Sequence, residues 1–207
     1  NPIHFARTGE SMGIISIINP SILKDVNFLT GGFPARYGDK MSSVFDMTMV
    51  DGNKEVHNID VNANVAGLGA MVDGPVMEDG AVVFSARRGF FDLITSVLNR
   101  PAAPSYYDAV VKFTYDMDTK NRLSVVGFYY LDQITRDGVV RMKSSADTGK
   151  YNYLSRDDYG TAFGLNWRHL ISPDAYAMTT LSTSSNGWNT LRGTVDRRDM
   201  IGEDILE

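Results

Sequence analysis

The residues that could do chemistry are few, and they stand apart from one another. Gly9-Glu10-Ser11-Met12-Gly13 matches the G-x-S-x-G pattern of serine hydrolases, whose serine sits on a sharp turn between a strand and a helix. Here Ile-Ile-Ser-Ile-Ile follows, which is strand-like, and no triad context appears downstream, so the pattern reads as a Gly/Ser loop. Asp116-Met117-Asp118-Thr119-Lys120 begins like a calcium loop, but Lys120 takes the third ligand position, Asn121 replaces the glycine and no glutamate closes it. His4, His57 and His169 are isolated, form no metal pattern and read as polar surface or lumen residues. Arg87 and Arg88 fall on opposite faces of one expected strand, so they make no joint clamp, and Asp157-Asp158 sits in a charged stretch expected to be solvated. The chain therefore reads as a non-enzyme, with no catalytic, cofactor or metal residue assigned.

Composition narrows the class. The 207 residues carry a net charge of −5 with scattered basic residues, against the concentrated basic face that nucleic-acid binding needs. No cysteine occurs, so disulfides and thiolate metal sites are out. No window reaches the roughly 18 apolar residues of a membrane helix, which leaves strands as the means of any membrane role. The chain starts at Asn1 without a signal segment and is expected to be a piece of a longer protein.

Hydrophobic periodicity divides the chain near Gly52. Residues 1–52 are short, apolar and mixed: a strand is expected over Gly13–Ile18, a helical turn capped by Asn19 with Pro20 at its first position and continuing through Asp25, and a strand over Val26–Thr30. From Glu55 the period becomes two. Strands are expected over Glu55–Val65, Leu68–Val76, Ala81–Thr95, Tyr106–Asp116, Arg122–Gln133, Tyr159–Ile171 and Tyr176–Trp188. Tight turns at Met77–Gly80, Asp118–Asn121 and Ser172–Ala175 alternate with a bend near Gly67, a Pro-containing loop at Ser96–Ser105 and a long polar loop at Ile134–Asp158. Such alternation suits an up-and-down barrel with short turns on one rim. The strands exceed the five or six residues typical of soluble sheets and match those that cross a bilayer obliquely. Tyr106, Tyr107, Tyr115, Tyr159, Trp167 and Tyr176 lie near strand ends, as interfacial girdles would. One side of a soluble barrel or a large sandwich is the competing architecture.

The stretch Gly31–Gly52, GGFPARYGDKMSSVFDMTMVDG, preceded by INPSILKDVNFLT, resembles the C-terminal part of the plug domain of TonB-dependent outer-membrane receptors. The matching residues are Asn19, Pro20, Ile22, Val26, Gly31, Gly32, Ala35, Tyr37, Gly38, Ser42, Ser43, Val44 and Gly52. Gly74-Pro75 and Ser85-Ala86-Arg87-Arg88 further resemble receptors with an upstream carboxypeptidase-regulatory-like domain. Ser42-Ser43 departs from the paired glycines of many members. The resemblance implies a mainly β chain: residues 1–52 the C-terminal part of a mixed α/β plug, and residues 53–207 about seven antiparallel strands of a transmembrane barrel that has about 22 in the family.

It also implies a plug motif of Gly31, Gly32, Arg36, Tyr37 and Gly38, with the glycines admitting close backbone approach or positive φ. Arg36, Asp39 and Lys40 are expected to form ion pairs with lumen-facing charges such as Asp60, Asp108, Lys112 and Arg168, and Asn166 is a further lumen-facing polar candidate. By resemblance the protein lies in the bacterial outer membrane, contacts its lipid, and meets TonB with the ExbB–ExbD motor in the periplasm. It takes up a scarce ligand of siderophore, cobalamin, glycan or peptide type, through Ser96–Ser105, Ile134–Asp158 and the segment after Trp188. A soluble β-rich ligand-binding or adhesion module is the rival reading.

Overall fold

The computed structural model describes His4 and residues 15–34, 37–38, 42–64, 67–90, 102–139 and 150–196. Among them strands dominate and no α-helix occurs. Seven strands form one sheet in chain order: β3 (Asn58–Asn64), β4 (Gly67–Met77), β5 (Gly80–Gly89), β6 (Ala102–Asp116), β7 (Asn121–Val139), β8 (Lys150–Ser172) and β9 (Ala175–Asp196). Every neighbouring pair is antiparallel. A separate antiparallel pair, β1 (Leu23–Leu29) with β2 (Val44–Met49), precedes it. The mainly β class and the count of about seven strands stand. The described sheet is open, with β3 and β9 as its edges. Connections at 78–79, 117–120 and 173–174 share one rim, where Asp118 accepts the backbone N–H groups of Lys120 and Asn121 and so closes its own turn.

Several strands outrun their expected ends. Of the loop expected at Ile134–Asp158, residues 134–139 extend β7 and 150–158 extend β8; the segment 189–196 extends β9. Their mixed polarity reads as loop, yet the ladder continues because backbone pairing does not require side-chain polarity to alternate. Pro104, which the sequence consigns to a loop, lies inside β6. Pairing of β5 with β6 stops at Gly89–Tyr106, while Pro104 still faces Ile134 of β7. Among the described residues β6 has a partner on one side only at this point, and a residue without an N–H is tolerated in such a place. Expectations at Gly9–Gly13, Arg36, Asp39, Lys40, 91–101 and 140–149 lie outside the described residues.

Alternation and register give the sheet two unlike faces. One carries Ile59, Val61, Leu68, Phe84, Tyr107, Val111, Phe113, Tyr129, Phe163, Leu165, Trp167 and Leu181, aligned from strand to strand and largely exposed. We call this the outer face. Gly160 and Gly187 lie directly opposite Tyr130 and Tyr159 on neighbouring strands, and a Cβ on either would come within 2.4 and 2.6 Å of those side chains. The missing side chains let both tyrosines lie flat on the sheet.

The other, inner face seats the N-terminal segment. Asn19 caps a single 3-10 turn, Pro20–Ile22, through its side-chain oxygen on the Ser21 N–H. The chain then enters β1 at Leu23, so the helix expected through Asp25 shrinks to this turn: Leu23 is already extended at φ −90, ψ 129. The strand expected over Gly13–Ile18 reduces, within the described residues 15–18, to a bridge at Ser16. Ile22 is fully buried with Val83 and Val110, and Ile18, Met49, Val50, Met71 and Phe128 pack around them. The Val50 N–H closes on the Ile22 carbonyl at 2.9 Å. Ile22→Ala removes the apolar anchor of this seat. It is expected to cost about 2–5 kcal/mol, seen as a lower denaturant midpoint of the full-length protein and faster amide exchange across the 19–22 turn.

Candidate functional site

The polar groups that converge in this fold do so between the inner face and the segment docked on it. At its centre the His4 ring is fully buried between strands β6 and β7. Its Nδ1 lies 2.5 Å from Asp132 and its Nε2 3.1 Å from Asp108. Its backbone N–H donates to the Ile15 carbonyl, and the Tyr106 ring lies alongside, with ring centres 4.3 Å apart. Arg87 completes the group: its Nε donates to both Asp108 oxygens, at 3.0 and 3.1 Å, and its Nη2 donates to the carbonyls of Ser16 and Ile17. The adjacent Arg88 points to the outer face, over Tyr107. Asp158, in register with Asp132 across β7 and β8, is held by both Nε and Nη2 of Arg156. Burial pulls the His4 pKa down, but hydrogen bonds to Asp108 and Asp132 and their charges outweigh it, leaving it above the ordinary histidine value.

A second cluster holds the segment where it meets the sheet. Lys112 donates to the Met49 carbonyl at 2.9 Å and to Asp51 at 2.7 Å, and Thr114 donates to the Asp51 carbonyl. Arg122 lies 3.4 Å from Asp51 and 3.2 Å from Asp116; the latter contact is an ion pair whose angle is too poor for a hydrogen bond. Burial raises the Asp51 pKa, but Lys112, Arg122 and Lys24 more than offset it, so the carboxyl stays below its usual range. Asn19 adds a bond to the buried Ser85 hydroxyl at 2.7 Å.

The structure brings together some of the expected residues and disperses others. Asp60, Asp108, Lys112, Asn166 and Arg168 share the inner face. Among the described residues, Asp108 and Lys112 are the two of these that bond to the N-terminal segment. Asn166 donates to Thr180 on β9. Arg168 lies directly across from Arg122 in a cleft of about 810 Å³ at the short-turn rim, with Asp116, Lys120, Tyr176 and Met178. Asp60 lines a smaller cleft of about 410 Å³ beside Ile15, Asn19 and Arg87.

The glycine motif needs correction. Gly31 and Gly32 do take positive φ, 107° and 62°, but Gly38 does not, and a Cβ on any of the three would meet open space. The close approach falls instead at Gly52, where φ is 88° and a Cβ would lie 3.0 Å from the Val82 carbonyl. Tyr37 donates to Asp46. Arg36 lies outside the described residues.

Three further expectations are overturned. Tyr106 and Tyr176 belong to the inner face, so they are no part of an outer girdle: parity along β6 and β9 puts them opposite Tyr107 and Ala177. Asp157 and Asp158 are in a strand, and Asp158 is buried because Arg156 neutralises it. The surface alternative for His4 falls and the inner-face one stays, because two carboxylates from separate strands of that face enclose it. His4 had no sequence signal, since its partners are 104 and 128 residues away. Asp132 did: a carboxylate in phase with Phe128 and Tyr130, in an otherwise apolar and aromatic strand, calls for a counter-charge. No family model, curated protein or solved structure matches this chain.

Proposed function

We propose that the chain is part of a TonB-dependent outer-membrane receptor, with residues 1–52 belonging to its plug and residues 53–207 to the wall of its barrel. On this reading further strands continue the sheet from β9, and the protein does no chemistry on its cargo. It takes up a scarce ligand (siderophore, cobalamin, glycan or peptide in class) across the bacterial outer membrane, energised through TonB and its ExbB–ExbD motor.

One observation carries the reading: the sheet exposes a continuous apolar face while its polar face holds the preceding segment. Outer-face exposure reaches 74% at Ile59, 49% at Phe163 and 64% at Leu181. An apolar surface spanning seven strands is far larger than single exposed residues on a soluble domain. It also has an internal boundary. Tyr107 and Tyr159 share one row of the outer face, Tyr115 and Trp167 another, with Ala109, Val111 and Phe113 of β6 between. From Tyr107 to Tyr115 the strand runs about 27 Å at 3.4 Å per residue, comparable after tilt with the roughly 25 Å apolar band of outer-membrane barrels.

These 207 residues hold no cysteine, so a cysteine introduced here is the one label site within them. A nitroxide on Phe163→Cys in the full-length protein, in isolated outer membranes, is expected to be relaxed by oxygen and shielded from a water-soluble nickel chelate. The same label on Asp174→Cys, in the short turn 173–174, is expected to show the opposite. Retention of the full-length protein by the purified periplasmic domain of TonB tests the energised step. Nickel access at both positions would favour the soluble binding or adhesion module instead.

A further inference from the structure

We infer that His4 is a proton-dependent clasp, which as an imidazolium bridging Asp108 and Asp132 fastens the N-terminal segment to the inner face and unfastens it on losing its proton. The inference starts from the buried geometry of His4 and holds in a membrane receptor or a soluble module alike.

Both ring nitrogens of His4 face carboxylate oxygens. A neutral imidazole carries one N–H, so only the cation donates to both. Remove the proton and a nitrogen lone pair points at a carboxylate, in a place where water does not intervene: His4 is 0% exposed, Asp108 2% and Asp132 3%. Burying a polar group against a like partner is among the costlier arrangements in a protein interior.

The surrounding groups come from β5, β6, β7 and β8. From β5, Arg87 serves Asp108 and the Ser16 and Ile17 carbonyls; from β6 come Asp108 and Tyr106; from β7, Asp132 and Tyr130, whose ring stands edge-on to His4. From β8, Asp158 stands opposite Asp132, with Arg156 held on it. Arg87 serves Asp108 and Arg156 serves Asp158, while His4 reaches both Asp108 and Asp132.

The sign follows from linkage. With its docked pKa above the free value of about 6.5, His4 contributes fully below that pH. Between the free and docked values the docking equilibrium weakens by up to about tenfold for each pH unit, and it is flat outside that window.

The test is a pH series on the full-length, folded protein, with His4, His57 and His169 followed by the NMR shifts of their ring carbons. His4 is expected to titrate above the free imidazole value of about 6.5. Amide exchange at Ser21 and Ile22, corrected for intrinsic base catalysis, is expected to quicken tenfold or more in step with that titration, while Val110 and Phe128 hold. Asp132→Asn is expected to lower the His4 titration and carry the release to lower pH with it, and His4→Gln to abolish the pH dependence. A His4 that titrates at or below the free value, or a release that ignores its titration, overturns the clasp. Should His4→Gln fail to fold, the wild type and Asp132→Asn decide between these outcomes.

Discussion

Arg87→Ala is expected to destabilise the full-length protein by about 3–5 kcal/mol, while Arg88→Ala, one residue on, costs about 0.5–1 kcal/mol. The two side chains leave β5 on opposite faces. Arg87 is the guanidinium of a buried group: it holds Asp108, whose side chain is inaccessible to solvent, and two carbonyls of the N-terminal segment. Truncation takes the guanidinium from both carbonyls and leaves Asp108 with His4 alone, and the undercompensated buried carboxylate dominates the loss. Arg88 rests over Tyr107 on the outer face, 5.3 Å from the ring centre, where a cation–π contact is worth little. Denaturant midpoints of the two variants check the contrast. Equal losses would mean that the polar cluster does not hold the segment.

How much of this was legible depended on what each residue's neighbours were. In β3 to β9 the two faces meet different surroundings, so alternation marks strand, face and approximate register together. Asp108 and Lys112 could be assigned to the inner face from parity alone, and both meet the segment there. Strand ends were not legible. Beyond Gln133 and Trp188 the ladders continue with side chains of mixed polarity, and parity carries no signal where composition does not alternate.

Contacts between the segment and the wall were legible in kind but not in identity. Charges were expected there, yet the groups found are His4, Asp51 and the Met49 carbonyl, which no local spacing could single out. The junction Gly31–Gly52 reads as the place where the chain passes from a compact segment to long strands, and the described strands change there from the β1–β2 pair to the seven-stranded sheet. Its tightest point is the last glycine, because Gly52 passes against the Val82 carbonyl, while Gly38 has room around it.

The other large effect falls on the outer face and separates the two architectures. Val111 sits mid-strand in β6, 40% exposed, in the apolar row with Phe84 and Phe163. If that face meets lipid, Val111→Arg places a guanidinium at depth and costs about 2–4 kcal/mol near the midplane, cutting the yield of folded full-length protein in the outer membrane. If it meets water, the same change stays within about 0.5 kcal/mol, as most exposed substitutions do. Ser184→Arg on β9 is the control: it is exposed on the inner face, where a charge remains in water under either architecture. A loss at Val111 without a loss at Ser184, measured as unfolding midpoints in lipid vesicles, assigns lipid to the apolar face. A tolerated Val111→Arg removes the main support for the membrane reading, because no other property of the chain requires a surface so broad and so apolar to be left uncovered.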